Sequence, residues 1–428
     1  DSAMGRATAE LVSAATMQYA IDGWVFTAAS IDATIESLAL DDDIAISSAI
    51  FLEDIAGRER AGVVSASTGI VAPSFQAERD GRVATFPRIN GEISFEDADI
   101  AFDLTTGDLF GNGTVKGQHN VDGGAGEVAI GSIEVALSGN PLSTRVSPWN
   151  FDFDISAGKL AADLNAKWFP GDSGVSLDAR SSIKLEDLAG FYTDTVFTGL
   201  STDIEVGYSD TEFTVSPTMI SVSLIDLGIP IENLTASVDL NVEERALGVE
   251  NLEMTAFGGR ITAAPFSFHT GRPTNNIVLQ AKAVELAQIL AVKEFAAINV
   301  TGTIGAVLPI ILEQDGVSID GGRLTGEPPG GVIRYRTDDQ SNDPGASSIA
   351  LVTAALSNFE YESLSSDVTY SKDGDLDLQM QLKGRNPDLD DGRPVVLNLG
   401  VENNVPQMLK SLQAARTVEE ILENRLAN

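Results

Sequence analysis

Trp149-Asn150-Phe151-Asp152-Phe153-Asp154-Ile155 alternates apolar and polar residues, and Leu160, Ala162, Leu164, Ala166 and Trp168 repeat the alternation shortly after. Side chains of an extended chain point to opposite sides at successive positions, so such a run is a strand with one wet face and one dry face. Gly158-Lys159 between the two runs reads as a turn. The same period of two recurs along the chain: Leu200, Ile204, Val206 and Tyr208; Val238, Leu240 and Val242; Ile277, Leu279 and Ala281. It returns late, at Leu376, Leu378, Met380 and Leu382, and at Val395, Leu397, Leu399 and Val401. Turn chemistry separates these runs. Asn90-Gly91 and Asp373-Gly374 have the composition of two-residue hairpins, and Asp122-Gly123-Gly124 and Gly171-Asp172-Ser173-Gly174 are looser versions. Many short strands and 40 glycines predict a mainly β, antiparallel meander.

Helices are few in this reading. Asp343-Pro344 resembles an N-cap and N1 proline ahead of a helix over 343–359, with Ile349, Val352, Leu356 and Phe359 on one side. Asn404 is placed to cap a final helix over 405–426. A short helix over 284–295 and another over 7–19 complete the set. That is too little helix to cover the dry faces of so many strands. Three covers remain: a second sheet, closure into a barrel or solenoid, or an apolar ligand. A membrane barrel is disfavoured by six Tyr and three Trp, too few for two aromatic girdles. Periodicity does not separate a self-filled core from an open groove.

Composition narrows the function. Against 27 basic residues stand 63 acidic ones, a formal charge of −36, which repels nucleic acid and anionic headgroups. With no cysteine there are no thiol nucleophiles, disulfides or thiolate metal sites. The most apolar region, 283–312, is interrupted by Glu285, Lys293, Glu294 and Asn299 and is no membrane span. The chain starts at Asp1, and Ser2-Ala3-Met4-Gly5 reads as a cloning remnant, so a fragment of a longer precursor is expected, its anchor or export signal upstream.

Enzyme signatures fail one by one. Gly171-Asp172-Ser173-Gly174 spells a serine-protease tetrapeptide, yet His119 is the sole upstream histidine and sits in no matching motif. Asp373, Asp375 and Asp377 have calcium-loop spacing, but Leu378 replaces the required glycine and Gly384 the closing glutamate. Asp41-Asp42-Asp43 reads as a solvated corner. His269 alternates with Phe266 and Phe268 as a surface residue. Neither Gly321-Gly322 nor Gly330-Gly331 is followed by the Lys-Ser/Thr of a phosphate loop. No catalytic residue, metal site or cofactor is assigned. A carbohydrate-active enzyme survives as an alternative because so many acids always offer pairs.

Four segments carry a family resemblance. They are Phe257-Gly258-Gly259-Arg260-Ile261; Pro328-Pro329-Gly330-Gly331-Val332-Ile333-Arg334-Tyr335; Leu356-Ser357-Asn358-Phe359-Glu360-Tyr361, leading to Gly384-Arg385-Asn386-Pro387; and Gly392-Arg393-Pro394, ending in Asn404-Val405-Pro406. In order and spacing they resemble the C-terminal part of YdbH-type proteins, in the AsmA-like superfamily that includes TamB. The resemblance implies a long antiparallel sheet bent into a U-shaped (β-taco) hydrophobic groove with a few short helices. It implies a periplasmic bridge carrying phospholipid acyl chains between inner and outer membrane, anchored by an N-terminal inner-membrane helix that precedes this chain. It also implies a small outer-membrane lipoprotein partner, paired by a strand near the C-terminal end.

On this reading Trp149, Phe151, Phe153, Leu164, Trp168, Ile204, Val206, Leu240, Ile277 and Leu279 line the groove, and Val395, Leu397, Leu399 and Val401 form the partner-edge strand. Residues 1–22 form an N-terminal segment, 23–335 the groove, and 336–428 a capping module with two helices. A structural or adhesive β-solenoid with a self-filled core is the competing reading.

Overall fold

A computed structural model describes residues 6–407 except 11–14, 21–22, 42–43, 80, 87, 108–112, 138, 140, 145, 172–173, 194, 210–211, 292–297, 314–315 and 337–345. The chain divides into two units. The first holds residues 1–194 and 198–218, the second 195–197 and 219–428. Both are mainly β, and the strands pair antiparallel, as the period of two predicts. In neither unit does a described pairing join the first strand to the last, so neither sheet closes into a barrel.

The longest strands of the first unit, Gly23–Asp41, Ile44–Arg60, Phe153–Gly171 and Gly174–Tyr192, are not straight. Asp54, Gly158 and Asp187 sit inside strands at positive φ, and the register slips beside each of them. An extra residue on one strand bends it and sharpens its twist. Gly158 and Asp187 lie on neighbouring strands, since Ala157 pairs with Ala189 and Lys159 with Glu186, so their bulges form one crease. The second unit is creased in the same way at Asn233, Asn251, Ala283 and Gly321.

Several expected elements come out differently. Gly158-Lys159 is no turn: Gly158 is a bulge within a continuous strand, and a Cβ there would lie 2.7 Å from the Asp187 carbonyl oxygen. Asn90-Gly91 lies inside strand Ile89–Glu96 rather than in a hairpin, because Gly91 lets the neighbouring strand approach to where a Cβ would meet Asp103 O at 2.1 Å. The true turn follows at Asp97-Ala98, with Asp97 at φ 59°. Residues 7–19, read as helix, contain strands Arg6–Glu10 and Ala15–Ala20. The helix expected over 284–295 begins later, at Leu286, and is described to Ala291, because Val284 and Glu285 belong to the strand before it; 292–295 lie outside the described residues. Phe359 opens strand Phe359–Tyr370, and the helix stops at Leu356. The cap at Asp343-Pro344 and most of 405–426 lie outside the described residues. Asn404 does cap as read: its Oδ1 accepts the Gln407 N–H at 3.1 Å.

One closed core lies in the second unit. Val284, Ile304, Ala355, Phe359, Tyr361, Leu364, Leu382 and Leu397 are buried together, with Leu286 and Ile289 of one helix and Leu356 of the other packed against them. The family-like segments build this core. Gly259 would place a Cβ 2.5 Å from Val284 Cγ2, and Gly331 one 2.0 Å from Thr301 O, so side chains are excluded at both. Glu327 accepts hydrogen bonds from the Ala283 N–H and the Thr303 hydroxyl, both at 3.1 Å, which pins the bulge at Ala283. Asn386, buried, donates to the carbonyls of Ala354 and Ala355 at 2.9 and 3.1 Å and so satisfies the end of helix Ala346–Leu356.

Tyr361 donates its hydroxyl to Thr301 O at 2.9 Å, and burial pushes its phenol above the ordinary 10.0. The folded chain holds the neutral form. This contribution to stability is therefore complete below the unfolded value near 10 and is lost as pH rises through the folded value. Melting curves recorded across alkaline pH should fall more steeply for wild type than for Tyr361→Phe. Parallel curves would contradict the assignment.

Candidate functional site

Directly paired residues of neighbouring antiparallel strands point to the same side of a sheet. Following partners across the first unit therefore traces rows along one face. One row reads Met17, Phe26, Gly57, Ala66, Phe95, Ile100, His119, Gly126, Trp168, Leu177. At about 4.8 Å per strand it is on the order of 40 Å long. A second row reads Thr68, Ile93, Phe102, Gly117, Val128, Ala166, Ala179. A third reads Ile31, Leu52, Ile70, Gly91, Leu104, Val115, Ile130, Leu164, Ser181.

Among the described residues of this unit nothing covers this apolar face. Strand Ile89–Glu96 alternates half-buried and exposed residues without one buried position, and so does Asp99–Thr106. A filled core would bury the inner member of each pair. Here Ile93, Phe95, Ile100, Phe102, Leu104 and Val128 stay half-buried, shielded by their row neighbours, and no α-helix lies in the described part of this unit. Glycines keep the floor low: the Phe102 ring lies 2.4 Å from a Cβ built on Gly117, and the Trp168 ring at the same distance from one on Gly126. Reaching over Gly126, Trp168 donates its indole N–H to His119 Nδ1 at 3.2 Å.

The opposite face is a charge ladder. Asp103 pairs with Lys116 at 2.7 Å, and Glu127 with Lys167 at 3.0 Å while also accepting from Gln118 at 2.8 Å. The Lys167 ammonium holds the Glu127 carboxyl below its usual value. Lys184 and Glu186 shift apart by the same cause, the lysine upward and the glutamate downward. These pairs are exposed, so they set register more than they stabilise. A concavity of about 1220 Å³ is lined by this ladder, including Lys116, Glu127, Lys167 and Arg180, and by residues of the second row such as Ile93, Phe102 and Val128.

In the second unit Met254, Ile261, Ala281, Ala306, Leu324, Ser366, Met380 and Leu399 form a comparable row. Ala281, Leu324 and Leu399 pack against the closed core, so the two helices roof this side. Farther along the strands, Ile277, Ile310, Ile319, Tyr370 and Leu376 make a parallel row of half-buried residues.

The residues expected to line a groove fall into separate places. Leu164 and Trp168 lie on the apolar face of the first unit. Trp149, Phe151 and Phe153 form an aromatic cluster, with ring centroids 4.8 to 5.4 Å apart, beyond the Gly158 bulge; Trp149 and Phe151 precede the strand, and the Trp149 indole donates to Phe153 O. Ile204 and Val206 are half-buried on strand Thr195–Ser209, Val206 opposite Val215. Leu240, opposite Leu247, is 41% exposed. Ile277 and Leu279 sit on the open row side, opposite Ile310 and Leu308.

Sequence reasoning passed over Ile93, Phe102 and Val128, although the alternation of 89–106 was legible, because Asn90-Gly91 was taken for a turn. On strand Pro394–Asn404, Leu397 is buried opposite Leu382, Val395 and Leu399 pack beside it, and Val401 is 40% exposed. Among the described residues this strand has one strand neighbour, Asp375–Arg385.

Among the described residues no acidic or histidine group has the makings of a metal site, and no helix is long and apolar enough to cross a membrane. No curated protein and no solved structure matches the chain. One family does, described as YdbH-like, intermembrane phospholipid transport protein YdbH, over residues 12–427. With nearly its whole length matched, the chain belongs to the YdbH-like family of intermembrane phospholipid transport proteins.

Proposed function

We propose that the uncovered apolar face is the path of phospholipid acyl chains across the periplasm, and that the protein is a non-enzymatic bridge between inner and outer membrane. The observation that carries this reading is the half-buried state of Ile93, Phe95, Ile100, Phe102, Leu104 and Val128 in the apolar rows. Exposing a chain to water costs about 0.8 kcal/mol per methylene, so a sixteen-carbon chain meets a barrier of roughly 12 kcal/mol. Rows made mostly of hydrocarbon side chains lower that barrier, with no reaction and no cofactor. Headgroups remain in water, which suits an acidic chain.

The finer assignments belong to the same proposal. The groove occupies 23–335, with Trp149, Phe151, Phe153, Leu164, Trp168, Ile204, Val206, Leu240, Ile277 and Leu279 among its lining, and 336–428 caps it. Strand Pro394–Asn404 offers an edge for a small outer-membrane lipoprotein. An inner-membrane helix upstream of this chain anchors the other end. Native mass spectrometry of protein purified from a Gram-negative host tests the reading. Phospholipid that co-purifies and is displaced by added lipid supports it. Lipid-free protein that also takes up none from vesicles overturns it.

A further inference from the structure

The three apolar rows of the first unit contain few polar groups, and nearly all are spent. Thr68 has its one hydroxyl proton within reach of the carbonyls of Gly69 and Glu53, at 2.9 and 3.1 Å. Ser181 donates to Asp163 O at 2.6 Å. The Trp168 N–H goes to His119. That last bond fixes the histidine: Nδ1 accepts, so the proton of the neutral ring is on Nε2. Among the described residues Nε2–H has no partner. It is thus the one unspent side-chain donor in these rows, set between Ile100 and Gly126 and three residues before the turn at Asp122-Gly123-Gly124.

The geometry points to His119 as a docking point for an acceptor oxygen of a phospholipid, in its glycerol-ester and phosphate region. This rests on the reading of the face as a lipid path. Acyl chains offer a hydrogen-bond donor nothing, whereas ester and phosphodiester oxygens accept. A lipid lying with its chains on the rows and its oxygens toward the hairpin rim would satisfy Nε2–H. The site therefore favours glycerolipids over plain hydrocarbon and fixes which way along the strand the headgroup points. Trp168 is a positioning residue: it holds the ring in the tautomer that donates, and Gly126 gives it room to do so.

The chain has two histidines, so ring-¹⁵N-labelled full-length protein gives a simple spectrum. Dihexanoylphosphatidylethanolamine should shift the His119 Nε2 resonance and leave His269 unmoved. Dihexanoylglycerol separates the oxygens: a shift with both lipids assigns the ester, a shift with the phospholipid alone assigns the phosphate. An alkane of equal chain length should produce no shift. His119→Phe should weaken phospholipid binding about three- to tenfold without weakening alkane binding, and melt near wild type; His119→Gln, which keeps a donor, should recover part of the loss. Binding of phospholipid without a His119 shift, an equal shift with alkane, or equal affinity of wild type and His119→Phe overturns the docking point alone. If wild type binds no lipid at all, the lipid path falls and the docking point with it.

Discussion

Val128→Asp should strip the protein of at least about nine-tenths of its phospholipid while leaving its melting transition in place, and Ala129→Asp should do neither. The two residues are neighbours on strand Gly126–Ala136 and point to opposite faces. Val128 lies in an apolar row between Gly117 and Ala166. Ala129 lies in the charge ladder between Lys116 and Asn165, where another carboxylate faces a lysine. A carboxylate in the row keeps its water, and a chain crossing that spot exposes two or three methylenes, about 2 kcal/mol and more than tenfold in occupancy. Folding is affected less. Val128 is half-exposed already, so its replacement costs on the order of 1 kcal/mol. Lipid quantified by mass spectrometry beside a thermal melt checks both halves. A Val128→Asp protein with no melting transition would mean that this face is a filled core, and the lipid path would fail.

The sheet was readable from alternation because a period of two is a local property of extended chain. The run through Leu164 and Trp168, the turn at Asp373-Gly374, the pairing of Gly171 with Gly174, and the Asn404 cap all follow from residues adjacent in sequence. Where glycine was decisive, local reading failed. Gly91 and Gly158 look like turn residues, yet one admits a neighbouring strand and the other a bulge, and the cause lies with Asp103 and Asp187 far along the chain. Whether an apolar face is roofed is likewise a long-range fact. The alternation of Phe359 and Tyr361 resembles that of Ile93 and Phe95, but the first pair lies under two helices and the second under nothing described in its unit. The segments that stood out as family-like proved to be fastenings of the roofed core, through Gly259, Gly331 and Asn386, rather than lining of the open face.

That contrast sets the second large effect. Phe359→Ala should cost about 3–5 kcal/mol of unfolding free energy, and Phe95→Ala roughly 1 kcal/mol, although both delete a phenyl ring from the apolar side of a strand. Phe359 is 0% exposed and enclosed by Val284, Ile304, Tyr361, Leu382 and the end of helix Ala346–Leu356. Its removal opens a cavity that two rigid layers cannot collapse into, and it frees the helix from the sheet. Phe95 is half-buried between Ala66 and Ile100, so water fills its place and little packing is lost. Lipid content should move in the opposite order, because a gap at Phe95 thins the hydrocarbon row whereas Phe359 lies beneath a roof that chains do not cross. Denaturant unfolding of each variant, followed in the unit that carries the substitution, supplies the comparison. Equal costs at the two positions would show that both faces are equally enclosed, and a face enclosed by its own chain has no place for a lipid.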